Sequence, residues 1–235
     1  MRRDPAIPRI DLHVHSHFSP CAKDVSMYEE VRVAIERGVS VIAITDHGTT
    51  RQPSWLEDYF RELEDVRSLY GDDVIVLSGM EVDILDSGRL AVSREILKML
   101  DVVVASIHRV PPGCDVAEYW RRSMLGAIRS GLVDILGHPT DVGWRKVELP
   151  LDYILEVLDE ARSVGAAVEL NYHHRDPQDY FLKLAVERRV PLVPNSDAHS
   201  LSEIGAFSWH DGRIRSLGYD PGGVRWLDPS RLGIG

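Results

Sequence analysis

Short apolar runs alternate with helical stripes along the whole chain, and this alternation narrows the possible folds more than any other feature. The runs predict strands over 10–16, 39–45, 74–77 (continuing through 83), 102–107, 133–136, 166–170 and 192–194. Between them, apolar residues recur at three- and four-residue spacing. That spacing predicts helices over 27–37, 54–70, 91–100, 117–129, 151–164 and 178–188. Ser26 reads as the N-cap of the first helix and Gly38 as its stop. Strands this continuously apolar are buried on both faces, as in a parallel sheet covered by helices. The 235 residues suit one domain over 1–235, since α/β barrels commonly run to roughly 200–250 residues. The tail from about 204, rich in Gly, Trp and Arg, carries no clear element.

An open doubly wound sheet and a closed barrel both fit this alternation. Polar residues decide between them. His13, His15, His47, Glu81, His108, His138, Asp197 and His199 all stand at or just past strand ends. A barrel gathers every C-terminal strand end at one mouth, whereas an open sheet gathers only those beside its switch point. The expectation is therefore an α/β, TIM-barrel-like fold with parallel strands. His13 and His15, two apart among Ile10, Leu12 and Val14, share one side of a strand and can reach one point. Imidazole and carboxylate with little thiol suit Zn, Mn or Fe better than Ca or Mg. There are too many such donors for one tetrahedral ion, so a multinuclear divalent site is expected, with a carboxylate such as Glu81 as bridge.

Composition excludes several alternatives. Two cysteines, Cys21 and Cys114, fit a reduced, cytoplasmic protein better than a disulfide scaffold. Residues 1–5 lead into the first strand with no apolar leader, and no run is long enough to span a bilayer. A net charge of −10 makes long nucleic acid an unfavourable partner. A small phosphorylated ligand still fits, because bound cations reverse the local field. Oligomeric state is not legible.

The motifs Asp11-Leu12-His13-Val14-His15, Thr45-Asp46-His47-Gly48, Gly79-Met80-Glu81, Ser106-Ile107-His108, Gly137-His138-Pro139 and Asn195-Ser196-Asp197-Ala198-His199 together resemble the PHP (polymerase and histidinol phosphatase) family. The resemblance implies a distorted seven-stranded (β/α) barrel holding three metal ions. By position it assigns His13, His15, Glu81 and Asp197 to a first ion, Glu81, His108 and His138 to a second, and His47 and His199 to a third. In many relatives a His or Asp after the first strand completes the third site. Here that slot reads Ser19-Pro20-Cys21-Ala22-Lys23-Asp24, so either Cys21 or Asp24 is the candidate.

Such a site points to hydrolysis of a small phosphomonoester, with histidinol phosphate or a nucleotide as type substrates. Asp197, His199 and Arg109 are the candidate catalytic residues. Arg109 and Arg175 are candidate phosphate contacts, and His17 and His174 candidate proton donors to the leaving group. Arg145 reads as a solvated charge, and Cys114 is given no role. Asp11, Asp46, Glu169 and Asn171 are placed to hold the ligands. The other readings are a nuclease of the same family, a metal-dependent hydrolase of a non-phosphate substrate, and a non-catalytic metal domain. The second would carry a lysine at a strand end, whereas Lys23, Lys98, Lys146 and Lys183 read as loop or helix residues. The third is disfavoured by the intact donor set.

Overall fold

The computed structural model describes residues 6–22 and 24–233. Lys23 and the lead-in 1–5 lie outside the described residues. The elements in order are β1 (Ile10–Val14), α1 (Met27–Glu36), β2 (Val41–Ile44), β3 (His47–Gly48), α2 (Leu56–Tyr70), β4 (Ile75–Asp83) and α3 (Arg94–Leu97). They continue with β5 (Val102–Ser106), α4 (Val116–Arg129), β6 (Ile135–Leu136), α5 (Leu151–Val164), β7 (Ala167–Asn171), α6 (Asp179–Glu187), β8 (Leu192–Asn195) and α7 (Phe207–Ser216). Every ladder is parallel, in the order β1-β2-β4-β5-β6-β7-β8, with the short β3 pairing β4.

The circle closes just past β8, where His15 N–H donates to Ala198 O at 2.9 Å and Leu12 N–H to Asn195 Oδ1 at 2.9 Å. Parallel neighbours need a crossover, and the helices supply it. The first crossover starts as the sequence predicts: Ser26 and Glu29 form a reciprocal capping box on α1.

Inside the barrel, side chains climb from apolar to polar along each strand. Ile10, Leu12, Val41, Ala43, Leu77, Val102, Val104, Ile135, Ala167 and Val193 form the floor. Two residues further on stand the polar positions: Glu169 above Ala167, and Asn195 above Val193. The outward-facing residues pack against the helices instead, Met80, Val103, Leu136 and Val168 among them.

Four local features differ from the sequence reading. First, β1 contains a bulge: Asp11 pairs Ile42, yet Val14 pairs Ile44, so three steps on β1 match two on β2. Strict alternation would put His13 and His15 on the face of Asp11, which lies outside and accepts Ser196 N–H at 2.9 Å and Gly205 N–H at 2.9 Å. The extra residue resets the alternation. Ile10 and Leu12 line the floor, Val14 turns to the helix layer, and the two histidines face the mouth.

Second, the ladder of β4 is broken between β2 and β3. There Tyr59 OH donates to Ile44 O at 2.7 Å and accepts from Gly79 N–H at 2.8 Å. Gly79 is required at this crossing, because a Cβ would lie 2.5 Å from Thr45 Cγ2.

Third, the helix expected over 91–100 shrinks to α3. Ser93 has extended backbone (φ −67°, ψ 147°), and Ala91 and Ser93 donate their N–H groups to Asp83 O and Arg51 O, each at 3.0 Å, so the helix begins only at Arg94. Fourth, the unassigned tail contains α7, which buries Phe207, His210 and Ile214. Among the described residues no helix is long and apolar enough to cross a membrane.

Candidate metal centre

Two carboxylates organise the mouth. Glu81, near the end of β4, is 1% exposed. Its Oε1 lies 3.2 Å from His108 Nε2 and 3.1 Å from His138 Nε2. Its Oε2 lies 2.8 Å from His47 Nδ1 and 3.6 Å from Nε2 of both His13 and His15. Asp197, just past β8, puts Oδ1 at 3.4, 3.1 and 3.3 Å from Nε2 of His13, His15 and His199. The sequence-predicted donors thus meet around these two groups. Asp197 and His138 both adopt left-handed backbone, with φ of 52° and 23°, which bends their side chains off the strand direction into the mouth.

Far-side hydrogen bonds fix the rings. His13 Nδ1–H donates to Glu169 Oε1 at 2.6 Å, and His108 Nδ1–H to Asp83 Oδ1 at 2.6 Å. Nδ1 of His138 meets Asp141 O, and that of His15 meets Ser19 Oγ, both at 3.2 Å. Each arrangement leaves an Nε2 lone pair aimed at the centre, the geometry of a metal-ligating histidine. Glu169 also accepts from His138 N–H and Asn171 Nδ2 at 2.8 Å and from Asn195 Nδ2 at 2.9 Å.

The electrostatics favour cations. Burial alone would raise both carboxyl groups, but the neighbouring imidazoles hold Glu81 and Asp197 well below the usual carboxylate range. Burial would likewise lower the imidazoles. Against it, Glu81 lifts His47 to about 11 and His108 to about 9, and Asp197 lifts His199 to about 9. His15 is the exception, held at about 3 by burial that its hydrogen bond to Asp197 only partly offsets. A divalent ion competes with such protons for the same lone pairs.

The donor set fits a divalent transition ion on a further count. His13 and His15 bring Nε2 to Nε2 at 3.1 Å, and the buried Glu81 Oε2 has no hydrogen-bond partner. Both are arrangements that a shared cation satisfies. Four overlapping triads place their donor atoms within 4.8 Å: His13/His15/Asp197, His47/Glu81/His108, His15/Cys21/His47 and His138/His174/Asp197.

The remaining candidates divide. Cys21 stands beside His199 and His47; burial opposes ionisation of its thiol, but hydrogen bonds from those two rings bring it down to about 7. Asp24 is exposed and belongs to none of the triads. Arg109 lines a cavity of about 490 Å³ together with Phe18, Cys21, His47, Trp55, Asp83, His108 and Trp144. His174 sits between His138 and Trp144, its Nε2 3.5 Å from Asp197 Oδ2 and its Nδ1 3.2 Å from Asp141 Oδ2.

Two candidates are drawn elsewhere. Arg175 lies over Tyr172, 3.7 Å from its ring centre, and near Trp209 of α7, so its charge is spent on aromatic faces. His17 pairs with Glu62 of α2 at 3.4 Å, away from the donor cluster. Lys146, read as a loop residue, does lie in a loop, but it also reaches Asp141 and Asp176 at 3.2 and 2.8 Å. Asp46 accepts from Ser16 Oγ and Ser19 Oγ at 2.6 Å, which anchors the loop after β1.

Sequence reasoning missed Asp83, Ser19 and Asp141. Asp83 was the most accessible of these, since it follows Glu81 by two residues on the same strand face. It also missed the aromatic wall of Phe18, Trp55 and Trp144, to which no periodic signal points.

Comparison with known proteins agrees with this geometry. The PHP domain model matches residues 11–173. A "Probable phosphatase" of Thermoanaerobacter sp. (strain X514) is 32% identical over 209 residues, covering 84% of this chain and 82% of its own. The DNA polymerase/3'-5' exonuclease PolX of Bacillus subtilis (strain 168) is 32% identical over 205 residues, 81% of this chain but 34% of that protein. Among solved structures, histidinol phosphate phosphatase from Lactococcus lactis subsp. lactis, complexed with Zn, L-histidinol and phosphate, superposes with a TM-score of 0.68. The two are 20% identical, over 91% of this chain and 95% of that one, which shows a shared fold. With the matched segment spanning the strand ends of the mouth from β1 to β7, the chain belongs to the PHP domain family.

Proposed function

We propose that this chain hydrolyses a small phosphomonoester at a trinuclear divalent centre. The observation that carries the reading is the convergence of the imidazoles on Glu81 and Asp197 beside a cavity holding Arg109. His13, His15, Glu81 and Asp197 are the proposed ligands of one ion. Glu81, His108 and His138 hold a second, and His47, His199 and Cys21 a third. Bound ions of this kind supply Lewis acidity and an activated water near neutral pH.

The chain's own residues do the rest. Arg109 offers bidentate donors to the phosphoryl oxygens. Phe18, Trp55 and Trp144 give the leaving group an apolar wall. His174, oriented by Asp141, donates the proton to the departing alkoxide. The phosphatase names of the relatives and the histidinol and phosphate bound to the Lactococcus protein support this substrate class. A cytoplasmic site of action is proposed on the unpaired state of Cys21 and Cys114.

A second reading, exonucleolytic attack on short oligonucleotides, draws on the PolX relationship and on Trp144, 67% exposed at the rim where a base can stack. The products decide between them: inorganic phosphate from a monoester, mononucleotides from an oligonucleotide. The protein, supplied with Mn or Zn, is assayed on histidinol phosphate, nucleoside mono- and bisphosphates, an aryl phosphate and a short oligonucleotide, with His138→Ala as control. Release from monoesters that is lost in the control supports the phosphatase. Release from the oligonucleotide alone overturns it.

A further inference from the structure

Imidazoles and carboxylates accept manganese and zinc alike, so most of this centre does not choose between them. One position differs. We propose that the third, outer position, where Cys21 and His47 meet beside His15, is thiolate-ligated and therefore selective for a thiophilic divalent ion of the zinc class over manganese or magnesium. The proposal rests on the reading that the mouth holds divalent ions, and adds which ion one position takes.

Three observations carry it. The donor atoms of His15, Cys21 and His47 lie within 4.8 Å of one another, so the thiol stands among the imidazole donors of the mouth. Glu81 Oε2, on a side chain 1% exposed, has no hydrogen-bond partner and faces the same space, 2.8 Å from His47 Nδ1 and 3.6 Å from His15 Nε2. Finally, the loop that carries Cys21 is built to hold it there. Ser19 N–H donates to Ser16 O at 2.9 Å, Ala22 N–H to Ser19 O at 3.0 Å, and Val25 N–H to Ala22 O at 2.9 Å. Ser19 Oγ meets His15 Nδ1 at 3.2 Å, accepts from His47 N–H at 3.0 Å and donates to Asp46 at 2.6 Å. One hydroxyl thereby sets the His15 imidazole, the backbone of His47 and the turn that presents the thiol.

Cys21 is not serving as a small core hydrophobe, because it is exposed on the cavity wall. Cys114 is the internal contrast. It is also exposed, but it lines a separate cavity with Pro111, Pro112 and Arg145 and belongs to none of the donor triads.

The test uses the two thiols directly. The intact protein is equilibrated with zinc or with manganese, its ion content is measured, and it is treated with a chromogenic disulfide reagent. Zinc protein is expected to show one prompt thiol and one slowed by about tenfold or more, since a metal-bound thiolate is a poor nucleophile. Manganese protein is expected to show two prompt thiols. Cys114→Ser should leave only the slow one. Cys21→Ser should leave only the prompt one and lower the zinc content by one ion per chain. With cobalt, the wild type should show a sulfur-to-cobalt band in the near ultraviolet, and Cys21→Ser should keep the weaker visible bands without it.

Two prompt thiols in protein that holds its zinc would overturn the proposal and leave the metal reading standing. Equal protection by manganese, or protection of Cys114, would do the same. Protein that retains no ion under either condition would overturn both.

Discussion

Glu169 offers the sharpest test of how the mouth is held. The carboxylate is fully buried and accepts from four donors on four strands or strand ends: His13 Nδ1, Asn195 Nδ2, His138 N and Asn171 Nδ2. Glu169→Gln keeps the shape but turns one oxygen into a donor. The two protein donors facing that end then lose their acceptor. Neither asparagine can flip to rescue it, because Asn195 Oδ1 is held by Leu12 N–H at 2.9 Å and Asn171 Oδ1 by His174 N–H at 2.8 Å. Two buried, unsatisfied donors at about 1–3 kcal/mol each imply a loss of about 2–6 kcal/mol on urea unfolding. Whichever way the amide turns, His13 also loses its charged partner, and metal affinity should fall about 10–100-fold in a chelator competition. A Gln variant within about 0.5 kcal/mol of wild type, with unchanged affinity, would refute the argument that this carboxylate positions the ligands.

Three further outcomes are expected. Arg109→Ala should raise KM for an aryl phosphate about tenfold or more with little change in kcat, as loss of a charge-assisted contact requires; unchanged kinetics would remove Arg109 from the site. His174→Gln should lower kcat about 100-fold on an alkyl phosphate and far less on an aryl phosphate, whose leaving group needs no proton, and equal losses on both would exclude a proton-donor role. His210 in α7 is buried, and burial pulls it down to about 4 while Nε2–H donates to Leu170 O and Asn195 O, both at 3.0 Å. Between about pH 6.5 and 4 the unfolded chain takes up the proton and the folded chain does not, so stability falls as pH drops through that window. His210→Gln keeps a donor without titrating, and its stability curve should be flatter by about 2–3 kcal/mol across the same range; parallel curves for the two proteins would contradict the assignment.

Much of the barrel was legible because its strands are buried on both faces, and continuous apolar runs are hard to mistake when Gly or a polar cluster ends each one. The donors were legible for the same reason: only a fold that gathers strand ends makes sense of His47, Glu81, His108, His138 and Asp197 so far apart in sequence. Helix α7 was not. Its buried stripe runs Phe207, His210, Ile214, with a histidine where a periodicity reading requires an apolar residue. With α7 missing, Trp209 had no place, and Arg175 looked free to enter the mouth when it in fact lies against that tryptophan and Tyr172.

The deeper difficulty lies in β1. His13 and His15 were expected to share a side because they are two residues apart, and they do. Which side they share is another matter. A regular β1 opposite β2 would carry them to the outer face with Asp11, and the strand's inward contribution would then be the apolar Ile10, Leu12 and Val14 alone. The bulge allows one strand to supply apolar floor and polar mouth in succession. Its cause is not in the local sequence. Thr45 Oγ1 accepts Val14 N–H at 3.0 Å, Asn195 Oδ1 takes Leu12 N–H, and Asp46 holds Ser16 N–H at 2.9 Å, so the irregular backbone is satisfied by side chains from β8 and from the segment after β2. A bulge whose hydrogen bonds are completed by residues about 30 and 180 positions away cannot be read from a seven-residue window, yet it is what turns a His-x-His pair from a surface feature into two donors that face one mouth.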